Sequence, residues 1–254
     1  NYSLKTMVID RHSPVPLYYQ LQEWLIDQIE SGTWRPGDML PAERELQDQF
    51  ELSRTTVRQA IQELENRGLV TRYRGRGTFV AKPKVGHSPL PSHSLADQLL
   101  SQGMTAGWVV LSADWVDVPA DVAVRLQIEP EQQVYCLRRL RLANDEPIGY
   151  HIAYVSPEFA EAIDEEGLAK GGSLRYLRFE QDLAGNSAKR ILEAIPAAAV
   201  MAELLDVEVG APMLQIRRLV LSPDERPIED FCGVYRGDRF QYHINDLGLS
   251  IRSK

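Results

Sequence analysis

The sequence predicts an α+β protein of two domains. The first is small and helical and ends in a β-hairpin, and the second is built on a mixed, largely antiparallel sheet with helices. Three observations support this. Apolar residues recur at helical spacing up to residue 68, and a hairpin signal follows. Residues 82–91 contain three prolines and no periodicity, which is typical of a linker. Strand-like runs and short helical runs then alternate. We therefore expect domains at 10–81 and 92–254.

The composition is that of a globular protein, with 254 residues of which 44% are hydrophobic and 25% charged. No apolar run of about 18 residues is present, and no signal peptide precedes the first domain, so a cytoplasmic protein without a membrane span is expected. The two cysteines, Cys136 and Cys232, lie in strand-like runs, and we expect buried free thiols. No Cys/His spacing suggests zinc, and no metal or cofactor is expected.

The first domain begins with two predicted helices. The first carries one apolar face and ends near Gly32; this face is formed by Leu17, Leu21, Leu25, Ile26 and Ile29. Pro41 suits the first position of the second helix, and Leu46 and Phe50 supply its core contacts. Two residues separate Phe50 from the next helix, which is a helix-turn-helix spacing.

The third predicted helix starts after Ser53, whose hydroxyl can accept a backbone N–H of the first turn. Its buried face comprises Val57, Ala60, Ile61 and Leu64. Arg54 and Arg58 lie four residues apart, so they share a face directed away from that core. Gly68 suits the left-handed position after a helix. Two arginines at the exposed start of a second helix are typical of a recognition helix in a major groove.

A hairpin is predicted after this helix. Residues 69–74 alternate as a strand, Gly75-Arg76-Gly77 form a tight turn with a basic tip, and residues 78–81 return. Such a tip can reach into a minor groove, where the negative potential attracts arginine.

Charge supports DNA as the partner. Residues 10–52 carry about −6, residues 53–84 about +6, and residues 85–254 about −9. Surface arginines are usually solvated, but positive charge concentrated on the helix and hairpin favours contact with the phosphates of double-stranded DNA. The acidic remainder should have another role.

The first domain resembles the winged-helix domain of the GntR superfamily of bacterial transcription regulators. The resemblance rests on about 70 residues, including Pro41-Ala42-Glu43-Arg44, residues 53–58, Gly68 and residues 75–80. It implies phosphate and base contacts by a set of exposed residues and the wing tip, namely Arg44, Arg54, Thr55, Thr56, Arg58, Gly75, Arg76 and Gly77.

The second domain is partly duplicated. Residues 119–126 resemble residues 196–204, and Leu137-Arg138-Arg139-Leu140-Arg141-Leu142 resembles Ile216-Arg217-Arg218-Leu219-Val220-Leu221. A turn with an X-Pro bond follows each copy. A unit of strand, short helix, strand, turn and strand, used twice, predicts an antiparallel sheet with helices on one face.

The order of these parts resembles the ligand-sensing UTRA domain of the HutC-type GntR regulators, which has a chorismate-lyase-like fold. The resemblance covers about 95–245 and rests on Arg139-Leu140-Arg141, Pro147, Ser173-Leu174, Pro227-Ile228-Glu229 and residues 235–239. It is weaker, residue by residue, than that of the first domain.

Arg139 and Arg141 alternate on a strand and so point to one face. Two guanidinium groups there are stable if they share an anion such as phosphate. The alternative is that they pair with acidic residues across the sheet, since 25 Asp and Glu lie in residues 85–254.

The resemblance implies that this pair, with Ser94 and Ser173, forms the phosphate site for a phosphosugar. Glu229 and Tyr235 would contact the remainder of the ligand. Two residues depart from the family's sugar-binding members. His151 stands in place of a glutamate, and Arg175 stands in place of an aromatic residue. Because histidine can be cationic, these changes shift the site towards positive charge, so we expect a ligand that either carries a second anionic group or lacks the features of an amino sugar.

The leading hypothesis is a cytoplasmic, homodimeric repressor released from operator DNA by a small anionic effector. An enzyme is the first alternative, because the second domain shares its expected fold with a lyase, although no catalytic motif is apparent. A DNA-binding regulator without an effector is the second.

Overall fold

The computed structural model describes residues 9–73, 75–87, 95–161, 163, 168 and 187–244. The chain forms two compact units, Asn1–Pro83 and Lys84–Lys254. No helix within the described ranges is long and apolar enough to cross a membrane.

The N-terminal unit contains three helices and a hairpin: α1 (Leu17–Glu30), α2 (Glu43–Phe50), α3 (Arg54–Asn66), β1 (Val70–Tyr73) and β2 (Gly77–Val80). Its core includes the predicted faces of α1 and α3, joined by two tryptophans. Trp24 packs edge-to-face against Trp34 and Phe50, with ring centroids 5.6 and 4.8 Å apart. The periodicity of the sequence thus identified the helices of this unit.

Local hydrogen bonds fix the helix-turn-helix geometry. The Thr56 N–H donates to Ser53 Oγ over 3.1 Å, so Ser53 caps α3 as predicted. Helix α2 begins at Glu43 and not at Pro41, because the Glu45 carboxylate accepts a hydrogen bond from the Ala42 N–H over 2.7 Å and closes the first turn.

The hairpin is antiparallel, with Val70 opposite Val80 and Tyr73 opposite Gly77. Gly75 and Gly77 have φ of +72° and +114°, in the left-handed region that favours glycine. The turn between the strands therefore forms where the sequence predicted it.

The C-terminal unit contains a six-stranded sheet in the order β4-β5-β6-β9-β8-β7, with every neighbouring pair antiparallel. Its strands are β4 (Ala106–Asp117), β5 (Gln133–Ala143), β6 (Glu146–Val155), β7 (Ser187–Pro196), β8 (Pro212–Leu221) and β9 (Pro227–Arg236). Helices α5 (Ala120–Leu126) and α7 (Ala199–Leu204) connect β4 to β5 and β7 to β8. This order agrees with the predicted duplication, since each repeat supplies half of the sheet.

Helices cover both faces of this sheet, and not one face as expected. Helix α6 (Pro157–Ala160) and helix α4 (Leu95–Ser101) pack on the face to which Arg139 and Arg141 point, here called the site face. Helices α5 and α7 pack on the opposite face. An eleven-residue strand with apolar side chains on both sides needs cover on both sides, and the repeat pattern did not reveal this.

Part of the predicted linker belongs to the second unit. Strand β3 (Val85–His87) pairs in parallel with β10 (Phe240–Tyr242), and the buried Val85 joins the core that contains Leu95 and Phe240. This parallel pair makes the sheets of the unit mixed. A three-residue strand with a partner more than 150 residues away carries no periodicity of its own, so it was not recognised.

Candidate functional site

Most of the proposed DNA-reading residues are exposed on the surface of the N-terminal unit. Arg54, Thr55 and Arg58 are exposed on α3, opposite its buried face, and Arg44 is exposed on α2. No hydrogen bond or ion pair to the side chain of Arg44, Arg54 or Arg58 is found among the described residues. These guanidinium groups are therefore available to phosphates and base edges.

Thr56 is different, because it is half-buried and serves the helix itself. Its backbone N–H bonds to Ser53 Oγ, and its hydroxyl lies 2.8 Å from the same oxygen. At the wing tip, Gly75, Arg76 and Gly77 are exposed, and the Arg76 guanidinium lies 5.4 Å from the Tyr73 ring centroid.

One basic residue counted toward the positive charge has an internal role. Arg72 on β1 donates to Gln62 Oε1 over 3.1 Å and to the Arg58 carbonyl over 3.3 Å, and it lies 3.8 Å from Glu43 Oε1. Arg72 thus joins the wing to α3 and α2.

In the C-terminal unit, Arg139 and Arg141 lie on the site face, as predicted. Their side chains are 2% and 0% exposed. Along β5 the pair lies between two apolar clusters, one that contains Leu137 and one that contains Ala143. Both guanidinium groups stack on the Trp108 ring of β4, at 4.2 and 4.5 Å from its centroid. Cation–π contacts of this kind contribute about 0.5–2 kcal/mol each. We call Trp108, Arg139, Arg141, His151 and Tyr235 the arginine site.

No carboxylate lies directly opposite Arg139 or Arg141 in the register of the described strands. The residues opposite Arg139 are Val110 and His151, and those opposite Arg141 are Trp108 and Gly149. Arg139 donates to the Leu168 carbonyl over 3.0 Å.

Arg141 has no hydrogen-bond partner for Nε, Nη1 or Nη2 among the described residues. Burial and the nearby charge of Arg139 lower the pKa of Arg141 to about 10, so the guanidinium stays charged at neutral pH. A buried, unpaired cation of this kind attracts an anion.

His151 lies within a ring of aromatic side chains. Its centroid is 4.9 Å from those of Trp108 and Phe231 and 5.1 Å from that of Tyr235. Burial, followed by the charges of Arg139 and Arg141, lowers the pKa of His151 well below its ordinary value. This favours a neutral imidazole in the ligand-free protein, whereas the prediction of a more positive site requires a cationic one.

Glu229 and Tyr235 have structural partners. Glu229 is buried and accepts a hydrogen bond from Arg218 Nη2 over 2.5 Å, so its charge is paired inside the unit. Tyr235 stacks on Phe240, with centroids 4.0 Å apart. Burial raises the pKa of Tyr235, so its phenol stays protonated. Ser94, Ser173 and Arg175, the other predicted effector contacts, lie outside the described residues.

The residues that shape the site were not predicted from the sequence. Both arginines pack on the ring of Trp108. Because α5 lies between β4 and β5 in the chain, no β-turn indicated the strand register that places Trp108 opposite Arg141. Gly149 and Gly233 leave room for the rings. A Cβ on Gly149 would lie 2.7 Å from Tyr235 Cδ1, and one on Gly233 would lie 2.9 Å from the rings of Phe231 and Tyr235. Glycine inside a predicted strand was the available signal.

No group of three or more His, Cys, Asp or Glu side chains is placed to hold a metal ion within the part of the chain that the structure describes. Cys136 and Cys232 are free, and burial raises the pKa of both thiols.

Comparison with known proteins agrees with both units. Residues 17–80 match the family model of the bacterial regulatory proteins of the gntR family, and residues 101–241 match that of the UTRA domain. The chain is 34% identical over 236 residues to the HTH-type transcriptional repressor NagR of Bacillus subtilis strain 168, which is 93% of this chain and 97% of the relative.

Two further proteins are similar along most of their length. The histidine utilization repressor of Pseudomonas aeruginosa is 31% identical over 209 residues, which is 82% of this chain and 83% of the relative. The crystal structure of PhnF from Mycobacterium smegmatis matches with a TM-score of 0.55 and 27% identity, over 87% of this chain and 98% of that one.

A winged helix-turn-helix unit followed by an antiparallel sensor-like sheet defines the class of a two-domain transcription regulator. The chain belongs to the GntR family of bacterial transcription regulators, in its HutC-type branch, and carries a UTRA effector-binding domain. NagR and the histidine utilization repressor are named as repressors, and the family is one of regulatory proteins, so the comparisons support a regulator and not an enzyme.

Proposed function

We propose that the chain is a cytoplasmic repressor that binds a palindromic operator as a homodimer and leaves it when a small anionic metabolite binds the arginine site. The metabolite is a phosphorylated, sugar-like compound. The observation that carries this proposal is the buried guanidinium of Arg141, which has no acceptor among the described residues.

An isolated buried ion is costly, because removing a guanidinium from water costs several kcal/mol unless a partner replaces the lost hydration. A phosphate group can accept bidentate hydrogen bonds from Arg141 and a further one from Arg139. The stacking of both guanidinium groups on Trp108 keeps them close enough to share one group. The alternative of a regulator without an effector leaves this charge without a role.

The homodimer follows from the DNA-binding unit. One winged helix covers a single half-site, so an operator with two-fold symmetry requires two copies. Linkage then connects the two ligands. If the effector lowers operator affinity by some factor, the operator lowers effector affinity by the same factor.

The test is Arg141→Ala in the full chain. An operator selected from a random DNA library is titrated with and without a panel of sugar phosphates. We expect wild type to release DNA in the presence of at least one compound. The variant should bind DNA with unchanged affinity and fail to release it, because the anion has lost its principal partner.

Arg138→Ala is the matched control, since Arg138 lies on the same strand but on the opposite face, where Nη1 donates to Ser112 Oγ. This variant should respond like wild type. Release of DNA by Arg141→Ala at wild-type effector concentrations would make Arg141 structural and place the sensor site elsewhere.

A further inference from the structure

The arginine site contains a second set of buried polar atoms that its arginines do not use. Nε1 of Trp108 and both ring nitrogens of His151 have no hydrogen-bond partner among the described residues. His151 is 5% exposed, and its ring and that of Trp108 are in contact, with centroids 4.9 Å apart. Buried polar groups without partners are rare in native proteins and indicate a missing ligand group.

The two rings together offer a defined hydrogen-bonding pattern. The Trp108 indole donates one bond, and a neutral imidazole donates one and accepts one. A phosphate or carboxylate group is an acceptor alone, so it would leave the accepting nitrogen of His151 without a partner. A hydroxyl group both donates and accepts, so two neighbouring hydroxyl groups can donate to one nitrogen of His151 and accept from the other and from Trp108.

The charges around His151 favour the same ligand group. The positive charges of Arg139, Arg141 and Arg218 lower the pKa of His151, and the His87 ring lowers it as well. Glu229, the buried carboxylate beside them, is engaged with Arg218. Protonating His151 would therefore add a further cation to the cluster, whereas a neutral hydroxyl requires no change of charge.

From this pattern we infer that Trp108 and His151 form a specificity-determining subsite, which binds neighbouring hydroxyl groups of the effector beside its single anionic group. This inference rests on the proposed function. It identifies the effector as a hydroxylated compound with one phosphate ester and a neutral body, and it excludes a second anion next to the first.

Two matched pairs of phosphate esters test the subsite in calorimetric titrations of the full chain. Glucose 6-phosphate is compared with 6-phosphogluconate, and glycerol 3-phosphate with 3-phosphoglycerate. In each pair the second compound carries a carboxylate where the first has an aldehyde carbon or a hydroxymethyl group. We expect the neutral-bodied member to bind at least about tenfold more tightly in at least one pair, because the carboxylate leaves His151 unsatisfied.

Variants of Trp108 and His151 test the two side chains of the subsite separately. Trp108→Phe keeps a ring under the arginines and removes the donor, so it should weaken the binding of glucose 6-phosphate about fivefold more than that of inorganic phosphate. His151→Gln keeps one donor and one acceptor and should retain the preference for the neutral-bodied member. His151→Leu should lose that preference. Trp115→Phe, at an exposed position on the same strand, is the control and should behave like wild type.

Each result decides between the two proposals. Equal or tighter binding of the carboxylate-bearing members, or full affinity in Trp108→Phe, overturns the hydroxyl subsite. If Arg141→Ala still abolishes binding in that case, the proposed function stands. If Arg141→Ala binds inorganic phosphate and the esters like wild type, or if no probe binds wild type, both proposals fail.

Discussion

Arg54 and Arg58 extend from the exposed side of α3, one turn apart, with their guanidinium groups unpaired among the described residues. We expect Arg54→Ala and Arg58→Ala each to weaken operator binding by about 1–3 kcal/mol, because each removes a bidentate base contact. The fold should persist, since neither side chain belongs to the buried face of α3. Fluorescence anisotropy at matched salt measures the loss.

Arg67→Ala is the control for this change, since it removes the same charge from the other end of α3. Its effect should be small and limited to a lower salt dependence. If all three variants bind the operator equally well, α3 does not read DNA.

Side-chain roles were predictable where the partner is close in sequence. Ser53 caps α3 through Thr56, three residues away, and Gly68 takes φ of +71° directly after that helix. Trp108 and Glu229 depend on strand register and on a partner across the sheet, namely Arg141 and Arg218. Alternation assigns a side chain to a face but does not identify its neighbours there, so these roles needed the structure.

Strand β4 is one edge of the six-stranded sheet, and it is long and apolar. Its twelve residues include four large hydrophobic side chains that are exposed, Val109, Val110, Leu111 and Trp115. The other edge, β7, carries Lys189, Arg190 and Glu193, with one exposed large hydrophobic residue, Ile191. An apolar edge with unpaired backbone groups is suited to a second copy, whereas charge protects an edge.

We therefore expect β4 to form the dimer contact of the C-terminal unit. Val109→Lys should shift the full chain from dimer to monomer in sedimentation equilibrium at micromolar concentration, because it places a charge in the apolar contact. Ile191→Lys, at the opposite edge, should leave the dimer intact. A dimer that resists the first change and dissociates with the second would place the contact at β7.

Secondary-structure elements were likewise predictable where they depend on nearby residues, and not where they depend on residues far away in the sequence. Helices α1, α2 and α3 follow their apolar periodicity, and the repeats predicted the symmetric half-sheets. Strand β3 and the second layer of helices were missed. Their positions depend on burial against strands far away in the sequence, which no local pattern encodes.

At the scale of the whole molecule, two histidines of the C-terminal unit resist protonation. Burial is the largest cause of the lowered pKa of both His87 and His151, followed for His151 by the nearby arginines. In the unfolded chain these side chains titrate near 6.5. Below that pH the unfolded state takes up protons that the folded state excludes, so stability is lost as the pH falls through about 6.5.

Thermal unfolding without ligand should therefore show a lower Tm of the C-terminal unit at pH 5.5 than at pH 7.5. His151→Gln should reduce the corresponding loss in the free energy of unfolding by up to about 1.4 kcal/mol for each pH unit below 6.5, because glutamine does not titrate. His12→Gln, at an exposed position of the N-terminal unit, should leave the difference unchanged. An equal pH dependence in wild type and His151→Gln would show that His151 titrates normally.

The division into two units was anticipated from composition and the proline-rich segment, although β3 moves the start of the second unit to Lys84. The net negative charge lies in the second part, with about −9 over residues 85–254, whereas the charges of residues 10–84 sum to about zero.

The buried guanidinium of Arg141, which has no hydrogen-bond partner among the described residues, lowers thermal stability but is needed for the proposed response to the metabolite. Arg141→Leu should raise the Tm of the ligand-free C-terminal unit, by about 2–4 °C for each kcal/mol gained, because an apolar side chain of similar length avoids burying an ion. Arg138→Leu should give no such gain, and a lower Tm in Arg141→Leu would mean that the guanidinium is already satisfied. If the gain is found, selecting this regulator for thermal tolerance alone would favour variants that still bind DNA but no longer respond to the metabolite.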